Sequence, residues 1–263
     1  MSPPPSPHVR RRIKTAASLL ALIAAVVFFS FFNGYNHWEG LVNTPRALYW
    51  LGSNFVADAE SWANLPYIAG KLVETVFLAI AAATTGAACA LFVAILASRS
   101  MRLNPVLATA ASLLASVTRN IPIAAWAMIL LFSFGQNVLT GFFALFLNSF
   151  GFLTRAFREV INENGDEVVE AQRAVGASWM QIVFQGVIPC TLPQMLSWTL
   201  FTIETNIRHS ALVGLLTGTG IGFVFMLYYQ NLNYGSAGLV VLGLIFAILA
   251  IEVISNQLRR RIL

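Results

Sequence analysis

The chain has 263 residues, of which 57% are hydrophobic and only 10% charged, with a formal net charge of +5 and a mean hydropathy of +0.72. A water-soluble domain carries charge on about a quarter of its residues, so this composition excludes one and indicates an all-α polytopic membrane protein. Most of the arginine stands at the ends of apolar runs, a pattern of membrane orientation, so no nucleic-acid partner is expected.

Residues 1–9 are proline-rich with no apolar face, and the stretch 1–14, closing on Arg10, Arg11, Arg12 and Lys14, is expected to be a disordered cytoplasmic tail. The rest, 15–263, is expected to form one transmembrane domain. An apolar run over 16–32 has the outline of a signal peptide, yet it is as long as a span and ends in Phe-Phe-Ser-Phe-Phe without a small-residue cleavage site. It is read as the first span. Residues 33–70 set Trp38, Tyr49, Trp50, Trp62 and Tyr67 among polar residues with little lysine or arginine, as an outer interfacial segment would. The second span, 72–97, carries Glu74 near its outer end, and Arg99 and Arg102 mark an inner turn closed by Pro105.

Residues 106–134 are too long for one straight crossing of a roughly 30 Å core at about 1.5 Å per residue. Arg119-Asn120-Ile121-Pro122 interrupts them, and the proline removes a helical hydrogen bond, so one tilted, kinked third span is expected. Two short spans would need more turn residues and would break the positive-inside count. The fourth span, 138–161, exits through Arg155, Arg158 and Glu159.

The segment 165–189 is the most polar long stretch between apolar blocks. Glu163, Glu167 and Glu170 share one helical face, Gly176 offers a turn, and Met180, Val183, Phe184 and Val187 form an apolar face ahead of Pro189 and Pro193. Spacing alone leaves a docking element and an ordinary loop equally open. Glu170-Ala171, Gly176 and Ile188-Pro189, at their spacing, resemble the EAA loop of ABC importer permeases. The resemblance implies that Glu170, Ala171, Gly176 and Pro189 seat in a cleft of a cytoplasmic ATPase. Gln172 stands where that loop has a second alanine, Gly186 where it has a bulky aliphatic residue, and Ile188 where it has leucine. The first two departures are expected to alter the fit to the ATPase.

The fifth span, 192–214, holds Glu204, Asn206, Arg208 and Ser210, and Gly214, Gly218, Gly220 and Gly222 follow as an expected flexible outer loop. These glycines lack the preceding strand and the later acid of a dinucleotide site. Residues 223–234 are aromatic and interfacial, and the sixth span, 237–255, precedes Arg259, Arg260 and Arg261. Cys89, Cys190 and three scattered histidines give no metal-ligand spacing. No internal repeat is visible, which counts against an inverted-repeat carrier.

Together with the EAA-like loop, Arg119-Asn120-Ile121-Pro122 and the run from Glu204 to Gly222 resemble the permeases of phosphonate, phosphite or phosphate ABC importers. The resemblance implies a type I, MetI-like core with an extra N-terminal helix, in a bacterial inner membrane with both termini cytoplasmic. It further implies a second permease subunit, two ATPases that bind ATP and Mg, and an extracytoplasmic binding protein, with no cofactor in this chain. Pathway or gate residues would be Arg119, Asn120, Pro122, Glu204, Asn206, Arg208, Ser210, Gly218, Gly220 and Gly222. The pair Glu204 and Arg208, with the acid N-terminal at i, i+4, is read first as a self-neutralising bridge, with a pathway role as the alternative. The chain has no Walker lysine in a phosphate loop, so it is not expected to be an ATPase. Other readings are a permease for another small solute, an ion-coupled carrier, and an intramembrane enzyme using Glu74, Glu204 or Glu252.

Overall fold

The computed structural model describes residues 7–34, 36–101 and 104–262, with side chains from 11 onward and up to 261. The chain divides into two units, one up to Asn54 and one from Phe55. The first unit holds α1 (Pro7–Phe32) and α2 (His37–Asn54), and no described residue of either is buried. Of the tail expected to be disordered, residues 1–6 lie outside the described residues, whereas Pro7 to Lys14 are helical. Proline is tolerated in a first turn, and the arginines that follow extend the helix of the apolar run behind them.

The second unit runs α3 (Ala59–Ala63), α4 (Leu65–Ala97), α5 (Pro105–Asn120), α6 (Ile123–Phe134), α7 (Val138–Asn164), α8 (Asp166–Ala174), α9 (Trp179–Gln181), a π-helical turn (Ile182–Val187), α10 (Ile188–Thr217), α11 (Gly220–Gln230) and α12 (Tyr234–Ile262). The described residues contain no strand. Among the described residues four helices, α1, α4, α7 and α12, are long and apolar enough to cross a membrane, and the bent pairs α5–α6 and α10–α11 bring the number to six if each is one span.

At the centre lies α7, packed on α4, α5, α6 and α10. The buried residues of α4 include a run of small ones, Ala79, Ala82, Ala83, Gly86, Ala90 and Ala94, of which Ala82, Gly86, Ala90 and Ala94 pack with residues of α7. Such a stripe lets two backbones approach where no water is present to drive association. At Gly86 a Cβ would stand 3.1 Å from the Ser149 Cβ and 3.3 Å from the Phe150 nitrogen.

Between α5 and α6 the chain turns by 95°, a right-angle break in place of the expected kink in one span. Ile121 is extended (φ −83°, ψ 121°), as a residue before proline tends to be, so the ladder of α5 stops and α6 starts afresh from the Pro122 carbonyl. The Trp126 Nε1 reaches back to donate to the Thr118 carbonyl at 3.1 Å, closing the last turn of α5 across the corner.

The glycine-rich stretch differs from the flexible loop expected there. Gly214 lies inside α10, Gly218 caps it in the left-handed region (φ 70°), and α11 begins at Gly220 after a 56° bend. A Cβ on Gly214 would strike the Thr219 carbonyl oxygen, and one on Gly222 the Ala211 carbonyl oxygen. Close backbone approach, more than freedom, selects glycine here. The segment expected to be interfacial, from Phe223, is helical, and Ile221 and Val224 join Ile68, Leu239 and Val240 in a buried cluster.

Candidate functional site

The polar segment forms a helix, a tight turn and a short helix, with its back attached to the core. Val169 of α8 is 2% exposed and packs with Ile161, Ile182, Val183 and Val187. Gly176 adopts φ 79° with no atom near a would-be Cβ, so its conformation alone requires glycine. The Gly176 and Ala177 amides donate to the Arg173 and Gln172 carbonyls at 3.0 Å each, which satisfies the end of α8. Ser178 and Gln181 form a capping box at the start of α9.

Among the described residues two bonds join this element to the turn after α4. Arg173 Nη2 donates to the Ser100 carbonyl at 2.7 Å, and Trp179 Nε1 donates to the Met101 carbonyl at 3.0 Å. Neither residue was singled out by spacing; a tryptophan directly after a cap serine, beside an otherwise exposed turn, was the available signal.

Two expected faces are redrawn. Glu163 belongs to α7, and Gly165 ends that helix, so only Glu167 and Glu170 stand together on α8. In the following segment Val183 and Val187 are buried while Met180 and Phe184 are 60% and 62% exposed. The π turn adds a residue to its loop and shifts the apolar stripe, which an i, i+3, i+4 count does not anticipate. Glu170, Ala171, Val175, Gly176, Met180 and Phe184 consequently form one exposed set around the turn. Pro189 lies in the first turn of α10, which continues from the π segment without a loop.

Gln172 and Gly186 meet each other. A Cβ on Gly186 would lie 2.8 Å from both Gln172 amide heteroatoms, and the Gln172 Oε1 is buried without a partner. The two positions that depart from the EAA pattern therefore share one space inside the element: the absent side chain of Gly186 leaves room for the Gln172 amide.

On α10 the structure places Glu204 as an acid that is 8% exposed and accepts from Arg208 Nη2. Arg259 Nη2 of α12 approaches the other oxygen at 3.5 Å, so the expected pair is a triad spanning two helices. Asn206 is fully buried and faces away from it, donating to Ser149 Oγ at 2.8 Å and to the Ala79 carbonyl at 3.5 Å. Ser210 is buried and donates within its own helix to the Ile207 carbonyl at 2.6 Å. Asn206 thus ties α10 to α4 and α7, whereas Ser210 is satisfied inside α10. Arg119 and Asn120 are exposed at the α5 corner, and among the described residues no bond joins Arg119 to Glu204 or Arg208. Gly218 lies against Gln136 and Gly220 against Thr75, whose Oγ1 accepts from the Ile221 amide at 2.9 Å. Among the described residues no group of three potential metal ligands occurs.

The family described as "binding-protein-dependent transport system inner membrane component" matches residues 86–262. The chain is 28% identical over 189 residues to the phosphate-import permease protein PhnE of Mycolicibacterium smegmatis, covering 72% of this chain and 36% of that protein. It is 29% identical over 189 residues to the phosphite transport system permease protein PtxC of Stutzerimonas stutzeri, covering 72% of this chain and 69% of that one. The match thus spans little more than a third of the first relative's length. An inward-facing structure of the MetNI methionine ABC transporter superposes with a TM-score of 0.63 at 22% identity, over 73% of this chain and 96% of that one. That likeness shows the MetI-like fold.

Proposed function

The chain belongs to the binding-protein-dependent transport system inner membrane component family, and on that premise we propose that it is the permease subunit of an ATP-driven importer for a small phosphorus oxyanion. Phosphonate is the first candidate, with phosphite and phosphate its nearest variants. The observation that carries the reading is the exposed set Glu170, Ala171, Val175, Met180 and Phe184, held on a turn whose other side is bonded to the core. Exposed apolar side chains on a rigid turn suit a partner that covers them. The partner is a cytoplasmic ATPase, which supplies the ATP and Mg sites, and the full assembly has two ATPases, two permeases and an extracytoplasmic binding protein. The chain lies in a bacterial inner membrane with the docking element and both termini inside.

Force applied at α9 enters α10 directly, because the π turn joins them without a loop, and α8 bears on the same turn through Val169. It also enters the turn after α4 through Arg173 and Trp179. The ATPases thereby bias a bundle with two arrangements, and the oxyanion passes when the pathway opens to one side or the other. The Glu204 triad keeps one carboxylate beside two guanidiniums, which leaves net positive charge for an anion without holding it irreversibly.

Uptake of phosphonate, phosphite and phosphate in a bacterial strain without its own importers, expressing this chain with its ATPase and binding protein, tests the reading. Uptake of one of them that stops when the ATPase is omitted supports it. Import of an unrelated solute alone, or oxyanion transport by this chain by itself in vesicles, would refute it.

A further inference from the structure

We infer that the crevice between α5 and α7 is a binding site for a phosphate-type oxyanion group, separate from the Glu204 triad. Its inner chamber, about 80 Å³, is lined by Arg119, Arg155, Arg158, Ser112, Ser116 and Thr154, together with two alanines. An outer chamber of about 530 Å³ adjoins it through Ala97, Ser112 and Arg158 and adds Arg99 together with the carboxylates Glu159 and Glu163, so the uncompensated positive charge is confined to the inner chamber. Water occupies roughly 30 Å³ in the liquid, so the inner chamber has room for a group of a few heavy atoms.

Backbone geometry brings the arginines together. Gly151 of α7 has no side chain where a Cβ would stand 2.6 Å from the Arg119 nitrogen and from Thr118 Oγ1, so the last turn of α5 lies directly on α7. Arg155 and Arg158 follow one turn further on the same helix, at i, i+3, and face the same crevice.

The charges do not balance from within. Arg155 Nε is paired with Glu159 at 2.9 Å, but among the described residues Arg158 is bonded only to the Ser112 hydroxyl at 3.0 Å. Among the described residues neither Arg119 nor Arg158 has a carboxylate within ion-pairing distance, and no acid lines the inner chamber. Like charges converging in a crevice repel one another, and an anion between them removes that cost. Guanidiniums present paired N–H donors that match two oxygens of a tetrahedral oxyanion, and the Ser112 and Ser116 hydroxyls add donors for a third.

The group has two possible sources, a free phosphorus oxyanion or the headgroup of an anionic phospholipid. Only the first rests on the importer reading. The test uses the full chain in phosphatidylcholine nanodiscs, titrated with inorganic phosphate, and native mass spectrometry of the same chain with phosphatidylglycerol. Each is repeated on the Arg119→Gln/Arg158→Gln variant. We expect one probe to bind and the variant to weaken it at least about tenfold, roughly 1.4 kcal/mol. Loss of phosphate affinity identifies the free ion, and loss of phosphatidylglycerol retention identifies the headgroup. Arg119→Lys/Arg158→Lys keeps the charge but not the paired donors, and should bind more weakly than wild type while folding normally. Equal affinity of wild type and both variants for both probes overturns the site. Arginine-dependent binding without oxyanion uptake would instead overturn the transport reading and leave the crevice intact.

Discussion

Gly186→Val restores a branched side chain to the π turn, and the structure dictates where the new atoms go. The first of them lies 2.8 Å from Gln172 Nε2 and Oε1 and 2.9 Å from its Cδ, all well inside contact distance. Overpacking of this kind costs about 1–3 kcal/mol, and the lower half applies because the obstacle is the end of a flexible side chain. Gln172→Ala by itself removes a buried carbonyl oxygen that has no partner, a gain of about 1–3 kcal/mol offset by the void it leaves. The double variant places the valine in that void, so it should be more stable than the sum of the single effects by about 1–2 kcal/mol. Thermal unfolding of the purified chain in detergent, with all four members at one protein concentration, measures this coupling. Single effects that add to within about 0.5 kcal/mol would refute the shared space and return both residues to the ATPase-facing surface.

Gly176→Val forces a β-branched residue into the left-handed region at a cost of about 1–2 kcal/mol, and uptake should fall while membrane abundance holds, as it should for Glu170→Lys; ATPase co-purification checks both. Glu204→Gln leaves Arg208 and Arg259 facing each other without a carboxylate and should cost about 2–4 kcal/mol, toward the lower figure because Arg208 is nearly half exposed. Adding Arg208→Met should recover only part of the thermal stability, and Arg259→Met the remainder; full recovery with two changes would mean that Arg259 is not a member of the triad. Gly222→Ala should lower the unfolding temperature more than Gly176→Ala, because it drives a Cβ into the Ala211 carbonyl; the reverse order would restore a loose loop at the α10–α11 bend. Acidification bears on Asp58, whose carboxyl is held below the usual carboxylate range by hydrogen bonds from the Ser61 side chain and backbone. The cap it gives α3 is present above the ordinary carboxylate range and lost as pH falls through its lowered value, and hydrogen exchange at the Ser61 amide should accelerate there.

Much of the chain was legible in its residues because a bilayer imposes length and apolarity directly, without reference to any neighbour. The long runs that became α4, α7 and α12, the αL turn at Gly176 and the Glu204–Arg208 pair are all local, set by one helix and the solvent around it. Features decided by neighbours were not legible. Arg259 lies far along the chain from Glu204 and meets it only because α12 packs on α10. Asn206 looked like a pathway residue among polar neighbours, and only the packing of α10 on α4 and α7 turns it inward to Ser149. The glycines from Gly214 to Gly222 signal flexibility or close contact with equal force, and the choice fell to backbone carbonyls of Thr219 and Ala211 that tertiary packing places there. The cluster of Arg119 with Arg155 and Arg158 depends on Gly151, whose missing side chain admits another helix, and a sequence records that absence without recording what fills it.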